Sequence, residues 1–264
     1  MQIVRLHNDR FRVAVLDIPG PDPDALPDVY IHGLGASAIS TFPDIALHPI
    51  IRAPRAIMID LPGFGFSHGP DEWTYAIEDQ AALVIDVLDT LRVPRFNLIA
   101  HSMGGSISIA LTHRWPHRVA RLVVAEPNLD PGHGTLSAII ARSTEHDFVE
   151  RGYTKLVRAT ERQAMRDEGN ASYFLPTLLQ ASPIAMHRGA TSLLAQRAPT
   201  FRQQFASAPM PRTYIAGDRS NRVIPESLTS TGVAFRLMMD AGHVMMDDDP
   251  FTYIQLLAEA LERV

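Results

Sequence analysis

The chain has no cysteine among its 264 residues, which excludes disulfides, thiolate catalysis and cysteine-ligated metal sites together. It has no excess of positive charge either: 24 basic residues stand against 29 acidic ones, a formal charge of −5. A basic stripe able to neutralise a phosphate backbone is therefore missing, and nucleic acid is not the expected partner. No stretch approaches the roughly 18 consecutive apolar residues of a membrane span, and Met1–Gln2–Ile3–Val4–Arg5 opens no signal-like apolar run. These absences predict a soluble, cytoplasmic protein that acts on small molecules, alone or as a homodimer.

What the chain does have is enough apolar residue, 46%, for a substantial core. Within it, Asn97–Leu98–Ile99–Ala100–His101–Ser102–Met103–Gly104–Gly105 organises the rest. An apolar run of strand formers ends at Ala100, a serine follows two residues later, and two glycines open a segment of helical spacing. That pattern predicts a strand, a sharp turn and a helix. So tight a turn strains its central residue and requires small residues two positions to either side, which Ala100 and Gly104 are. The serine hydroxyl is then held clear at a helix N-terminus, where developing negative charge is favoured.

Along the chain, Ile3–Leu6 and Phe11–Asp17 predict an opening hairpin turned at Asn8–Asp9. Val29–Ile31 and Arg55–Asp60 predict buried strands, each running into a glycine-punctuated loop: His32–Gly33–Leu34–Gly35 and Leu61–Pro62–Gly63–Phe64–Gly65–Phe66–Ser67. Thr74 is placed as the cap of a helix running to Leu91, with Ile77, Ala81, Val84, Ile85 and Leu88 on one face. Strand Phe96–Ala100, helix Met103–His113 and strand Arg121–Ala125 follow. The alternation implies a parallel sheet with helices on both faces. It then stops: residues 129–208 show helical periodicity alone, with helices predicted over Leu136–Arg151, Tyr153–Asp167, Tyr173–Gln180 and Ile184–Arg197. Strands resume at Thr213–Ala216 and Phe235–Met239, and Pro250–Leu261 is a closing helix capped by Asp249. The domain reading is a core of residues 1–128 and 209–264 interrupted by a helical cap over 129–208, lying across the carboxyl ends of the strands, where open parallel sheets bind ligands.

HGLG, DLPGFGFS, AHSMGG and AGH, in this order and spacing over nearly the whole chain, resemble the lidded α/β-hydrolases. The family's GxSxG opens here with Ala100, which meets the same need for a small residue. The resemblance implies a mostly parallel eight-stranded sheet flanked by helices, with a helical lid after the sixth strand. It also implies Ser102 as nucleophile and His243, after the last strand, as the base that takes its proton. The backbone N–H groups of Leu34 and Met103 become the oxyanion hole. His32 and His101 flank the site and read as structural. His7, His48, His68, His113, His117, His133, His146 and His187 sit in turns or on helix surfaces. The family's acid usually stands three residues past the glycine that ends the strand after the lid. Here that glycine is Gly217 and the residue is Ser220, which cannot ionise. Glu126, at the end of the sixth strand, occupies the place from which a minority of the family supplies its acid; Asp218 is the alternative.

Asp247–Asp248–Asp249 reads as a solvated helix cap rather than a metal site, because consecutive side chains point apart. Arg5, Arg10 and Arg12 are scattered along the hairpin and form no phosphate patch. The chemistry implied is cleavage of an ester or lactone of an apolar small molecule through an acyl-enzyme, with no cofactor and no metal. The alternatives are a carbon–carbon bond hydrolase acting on a vinylogous diketone, which uses the same triad, and a non-catalytic receptor on the same fold.

Overall fold

Strand periodicity dictates a sheet buried on both faces, because successive side chains of its central strands point into different cores. The computed structural model describes residues 1–20, 22, 25–132, 135–220, 228 and 230–263. Its strands are β1 (Gln2–Leu6), β2 (Phe11–Pro19), β3 (Asp28–Ile31), β4 (Arg55–Ile59), β5 (Phe96–His101), β6 (Val119–Ala125), β7 (Arg212–Gly217) and β8 (Ala234–Met238). They form one eight-stranded sheet in the order β1-β2-β4-β3-β5-β6-β7-β8. β1 and β2 pair antiparallel, as do β2 and β4, and every pairing from β4 onward is parallel. The sheet is the mostly parallel one expected.

The helices are α1 (Ala38–Thr41), α2 (Pro43–Ala46), α3 (Ile77–Thr90), α4 (Met103–Arg114), α5 (Thr135–Ile140), α6 (Glu145–Asp147), α7 (Tyr153–Ala164), α8 (Ala171–Leu178), α9 (Pro183–Leu194), α10 (Phe201–Ser207), α11 (Met245–Asp248) and α12 (Pro250–Ala260). Ile57, Ile59, Leu98, Ala100, Leu122 and Val124 face a core shared with α3 and α4. Met58, Ile99, Val123 and Ala125 face a second core shared with α1, α2 and α12. The α3 stripe Ile77, Ala81, Val84, Ile85 and Leu88 is buried throughout. Each of its isoleucine, valine and leucine side chains contributes about 1.5–3 kcal/mol by leaving water.

Local chemistry departs from the sequence pattern in three places. Thr74 is not the cap of α3; that position is Ala76, without a side-chain cap. The Thr74 hydroxyl is taken by Asp79 and by the Ala76 N–H, so the chain turns two residues later. The helix expected over Leu136–Arg151 is interrupted after Ile140, and Thr144 caps a new turn by accepting the Asp147 N–H at 3.1 Å. A π-helical turn, Phe148–Gly152, then leads into α7. Finally, α10 lies in a segment with no predicted helix, although Thr200 and Gln203 form a capping box at its start. Asp249 caps α12 as expected, accepting the Thr252 N–H at 3.1 Å.

The helices between β6 and β7 are tied to the sheet's loops. Ser182 N–H donates to Gly63 O at 2.7 Å, and Ile77 N–H donates to Ser192 Oγ at 3.0 Å. Arg188 on α9 donates to both Glu145 oxygens at 2.7 Å and to the carbonyls of Asp71 and Trp73. Among the described residues no helix is long and apolar enough to cross a membrane.

Candidate active site

Two adjacent strands end in the same unusual way. β5 is followed by Ser102 at φ 53°, and β6 by Glu126 at φ 43°. Each continues the ladder one residue past its strand: Ser102 N–H donates to Ala125 O at 2.9 Å, and Glu126 N–H donates to Ile215 O at 3.1 Å. The ladder bond holds the backbone while the positive φ turns the chain and its side chain off the sheet edge. A non-glycine residue held there costs about 1–3 kcal/mol, a cost sustained only by surrounding structure.

The turn at Ser102 works because of its neighbours. A Cβ on Gly104 would lie 2.4 Å from His32 O and 2.6 Å from Ile31 O, so only glycine lets α4 sit against β3. Gly217 plays the matching part at the other side, where a Cβ would lie 2.3 Å from Ala241 O. That close approach brings the loop carrying His243 against the end of β7.

His243 therefore reaches both strand ends. Ser102 Oγ–H donates to His243 Nε2 at 3.0 Å, and His243 Nδ1–H donates to Glu126 Oε2 at 2.7 Å. The Glu126 side chain is fully buried, while that of His243 is 38% exposed. Glu126 Oε1 accepts the Gly217 N–H at 3.0 Å, and Ser220 hydrogen-bonds the same carboxylate. Asp218, the alternative acid, is exposed and accepts the Ala241 N–H at 3.2 Å. The carboxylate that meets the imidazole is that of Glu126.

Burial acts to raise the Glu126 pKa, but the hydrogen bond and charge of His243, together with bonds from Ser220 and the Gly217 N–H, outweigh it and hold it below 4.5. A carboxyl with a lower pKa folded than unfolded stabilises fully above the unfolded value and loses that contribution as pH falls through the folded one. Chemical denaturation of wild type and Glu126→Gln is accordingly expected to show a stability gap that is present at about pH 5 and closes as pH falls below 4.5. A gap that widens as pH falls below 4.5 would contradict this.

His101 supplies a contact that sequence reasoning did not assign. Its Nε2–H donates to His243 O at 2.8 Å, with the two rings 4.7 Å apart, so the residue before the serine steadies the backbone of the histidine. His32 is buried; its Nδ1–H donates to Gly33 O at 2.7 Å and its Nε2 accepts the Leu61 N–H at 2.9 Å. Burial lowers its pKa against the raising effects of Asp60 and the Gly33 bond, so it joins the two glycine loops as a neutral ring. Asp60 reinforces the join by accepting from Ser37 Oγ at 2.8 Å and Phe66 N–H at 3.0 Å. Leu34 lies in the first of these loops beside the cleft, and Met103 is the first residue of α4, where a backbone N–H has no intrahelical acceptor.

Above Ser102 and His243 opens a cleft of about 400 Å³. From the helices between β6 and β7, Tyr173, Phe174 and Leu193 line it. Phe148, Leu178 and Met186 are core, and Met165 and Leu179 are exposed. His187, expected at a helix surface, is buried, with Nε2–H donating to Ser143 O at 2.9 Å. His133 lies outside the described residues. In the Asp247–Asp249 run, Asp247 and Asp248 both accept from Asn170, and Asp248 also takes the Gly242 N–H at 2.7 Å, which fixes the loop just before His243.

Known proteins share this fold. The family model described as alpha/beta hydrolase fold matches residues 29–156. A 2-hydroxy-6-oxo-2,4-heptadienoate hydrolase of Pseudomonas putida is 36% identical over 104 residues, 37% of this chain and 36% of that protein. The chain thus matches little more than a third of that relative's length. Among solved structures, a thermophilic esterase of Thermogutta terrifontis superposes with a TM-score of 0.80 at 18% identity, covering 100% of this chain and 99% of that one. The enol-lactonase of Burkholderia xenovorans LB400 superposes with a TM-score of 0.77 at 18% identity, covering 96% and 97%.

Proposed function

Because this chain belongs to the α/β-hydrolase fold superfamily, we propose that the Ser102–His243–Glu126 relay makes it a serine hydrolase of carboxylic esters or lactones. The observation that carries the reading is the unbroken pair of hydrogen bonds from Ser102 Oγ through both imidazole nitrogens to a buried carboxylate. A serine hydroxyl is a weak nucleophile unless a base accepts its proton during attack, and Nε2 at 3.0 Å is placed to accept it.

In this reading Ser102 Oγ attacks the substrate carbonyl as His243 takes its proton. The oxyanion forms against the N–H groups of Leu34 and Met103, each worth about 3–4 kcal/mol of transition-state stabilisation where such donors have been removed in other enzymes. Collapse expels the alcohol, which receives the proton from Nε2. Water, deprotonated by the same nitrogen, then attacks the acyl-serine and releases the acid. Throughout, Glu126 keeps the proton of the neutral ring on Nδ1 and stabilises the imidazolium. The helices over residues 129–208 act as the cap, and their Tyr173, Phe174 and Leu193 favour an apolar portion of the substrate.

A second reading, hydrolysis of a carbon–carbon bond next to a ketone, is supported by the named activity of the Pseudomonas putida relative. The same serine and histidine would serve. A panel of short 4-nitrophenyl esters, small lactones and a ring-fission dienoate separates the two. Turnover of esters or lactones at a kcat/KM at least about tenfold above the dienoate is expected; the opposite order would replace the first reading by the second, and turnover of none would leave a binding protein.

A further inference from the structure

We propose that the substrate carries a carboxylate and that Arg219 binds it, making Arg219 a specificity-determining residue of the cleft; this rests on the serine-hydrolase reading above. Arg219 lines the same cleft as Ser102 and His243, and among the described lining residues it is the one lysine or arginine. The cleft's carboxylate, Glu126, is committed to His243, Ser220 and the Gly217 N–H, so it does not neutralise the guanidinium. Neighbouring Asp218 turns its carboxylate to the Ala241 N–H.

The arginines that brace this fold look different. Arg188 is saturated by Glu145 and two carbonyls, Arg263 grips buried Asp28, and Arg212 holds four backbone carbonyls. Among the described residues the Arg219 guanidinium has no carboxylate or carbonyl partner; its one hydrogen bond is made by its backbone N–H, to Ala241 O at 2.9 Å. That bond, with Asp218 N–H on Met238 O at 3.0 Å, pins the Arg219 backbone to the loop that carries His243. The backbone that carries the cation is thus tethered at a set position relative to the reacting serine, and the exposed guanidinium spends none of its five donors on the described residues. A planar guanidinium pairs with a carboxylate through two parallel hydrogen bonds, which orients the bound molecule as well as holding it.

The test uses two matched ester pairs. In one, 4-nitrophenyl butyrate is compared with mono-4-nitrophenyl succinate, which bears a carboxylate on the acyl side. In the other, phenyl butyrate is compared with 3-carboxyphenyl butyrate, which bears it on the alcohol side. The expected result is a kcat/KM for one charged ester at least about tenfold above its neutral partner, carried mainly by KM and shrinking as sodium chloride is raised. In Arg219→Gln that ratio is expected to fall to near one, and in Arg219→Lys to an intermediate value. Neutral esters preferred in both pairs, or a ratio unchanged in Arg219→Gln, would overturn the proposal. Absence of all ester turnover would overturn the serine-hydrolase reading instead. Binding of mono-4-nitrophenyl succinate and of 3-carboxyphenyl butyrate to Ser102→Ala, compared with Ser102→Ala/Arg219→Gln by calorimetry, then decides the role of Arg219: affinity for either weakened about tenfold or more supports it, and equal affinities for both overturn it.

Discussion

Replacing Ser102 with alanine is expected to lower kcat on any ester or lactone substrate by about 10⁴- to 10⁶-fold, with KM changed little. The effect is large because, in the proposed reaction, the hydroxyl forms and breaks the covalent bond to the acyl group. Ser102 is the one residue whose side chain is both lifted off the β5–α4 turn and bonded to His243 Nε2. The backbone that holds it, through Ser102 N–H on Ala125 O, does not involve the side chain, so the folded variant should keep its thermal transition within a few degrees. A kcat reduced less than about tenfold in a folded Ser102→Ala protein would mean that the reaction bypasses the serine.

The second large effect concerns the acid. Glu126→Gln is expected to reduce kcat by about 10⁴-fold, the size of loss seen when the acid of such a triad becomes its amide. Glutamine is nearly the same shape, so the cavity stays filled, but it cannot stabilise the imidazolium and can present its N–H₂ to the ring, turning the imidazole to the wrong tautomer. Asp218→Asn should change kcat no more than a few-fold, because Asp218 faces the Ala241 N–H. Steady-state kinetics of the two variants side by side checks both; equal losses, or a larger loss at Asp218, would relocate the acid to the end of β7.

Much of this was legible in the chain. The central strands read as the near-continuous apolar runs that two buried faces require, and the stripe on α3 follows from about 3.6 residues per turn. The serine turn was legible because its constraint is local: smallness at Ala100 and Gly104 is a property of the residues themselves. Thr74 misled because a hydroxyl near a helix start can bond several nearby groups, and Asp79 won it. The capping box at Thr200 and Gln203 was a readable signal for α10 that periodicity alone passed over, since α10 spans only seven residues.

What could not be read were contacts between strand ends distant in sequence. Ser220 stands where the acid of related chains is expected, and in isolation it is only a residue that cannot ionise. In three dimensions it hydrogen-bonds the Glu126 carboxylate, so the position still serves the acid after the charge has moved to the neighbouring strand. His101 is similar: its grip on His243 O joins residues on β5 and on the loop after β8. Arg219 has meaning only once the cleft exists.

The central claim, that Ser102 becomes acylated, is tested most directly by intact-protein and peptide mass spectrometry of the enzyme quenched in acid during turnover of 4-nitrophenyl butyrate. A single butyryl adduct is expected on the peptide containing Ser102 in wild type, with a larger trapped fraction if deacylation limits the rate, and no adduct in Ser102→Ala. Full ester turnover without an adduct at Ser102, or an adduct on another residue that persists in Ser102→Ala, would contradict it.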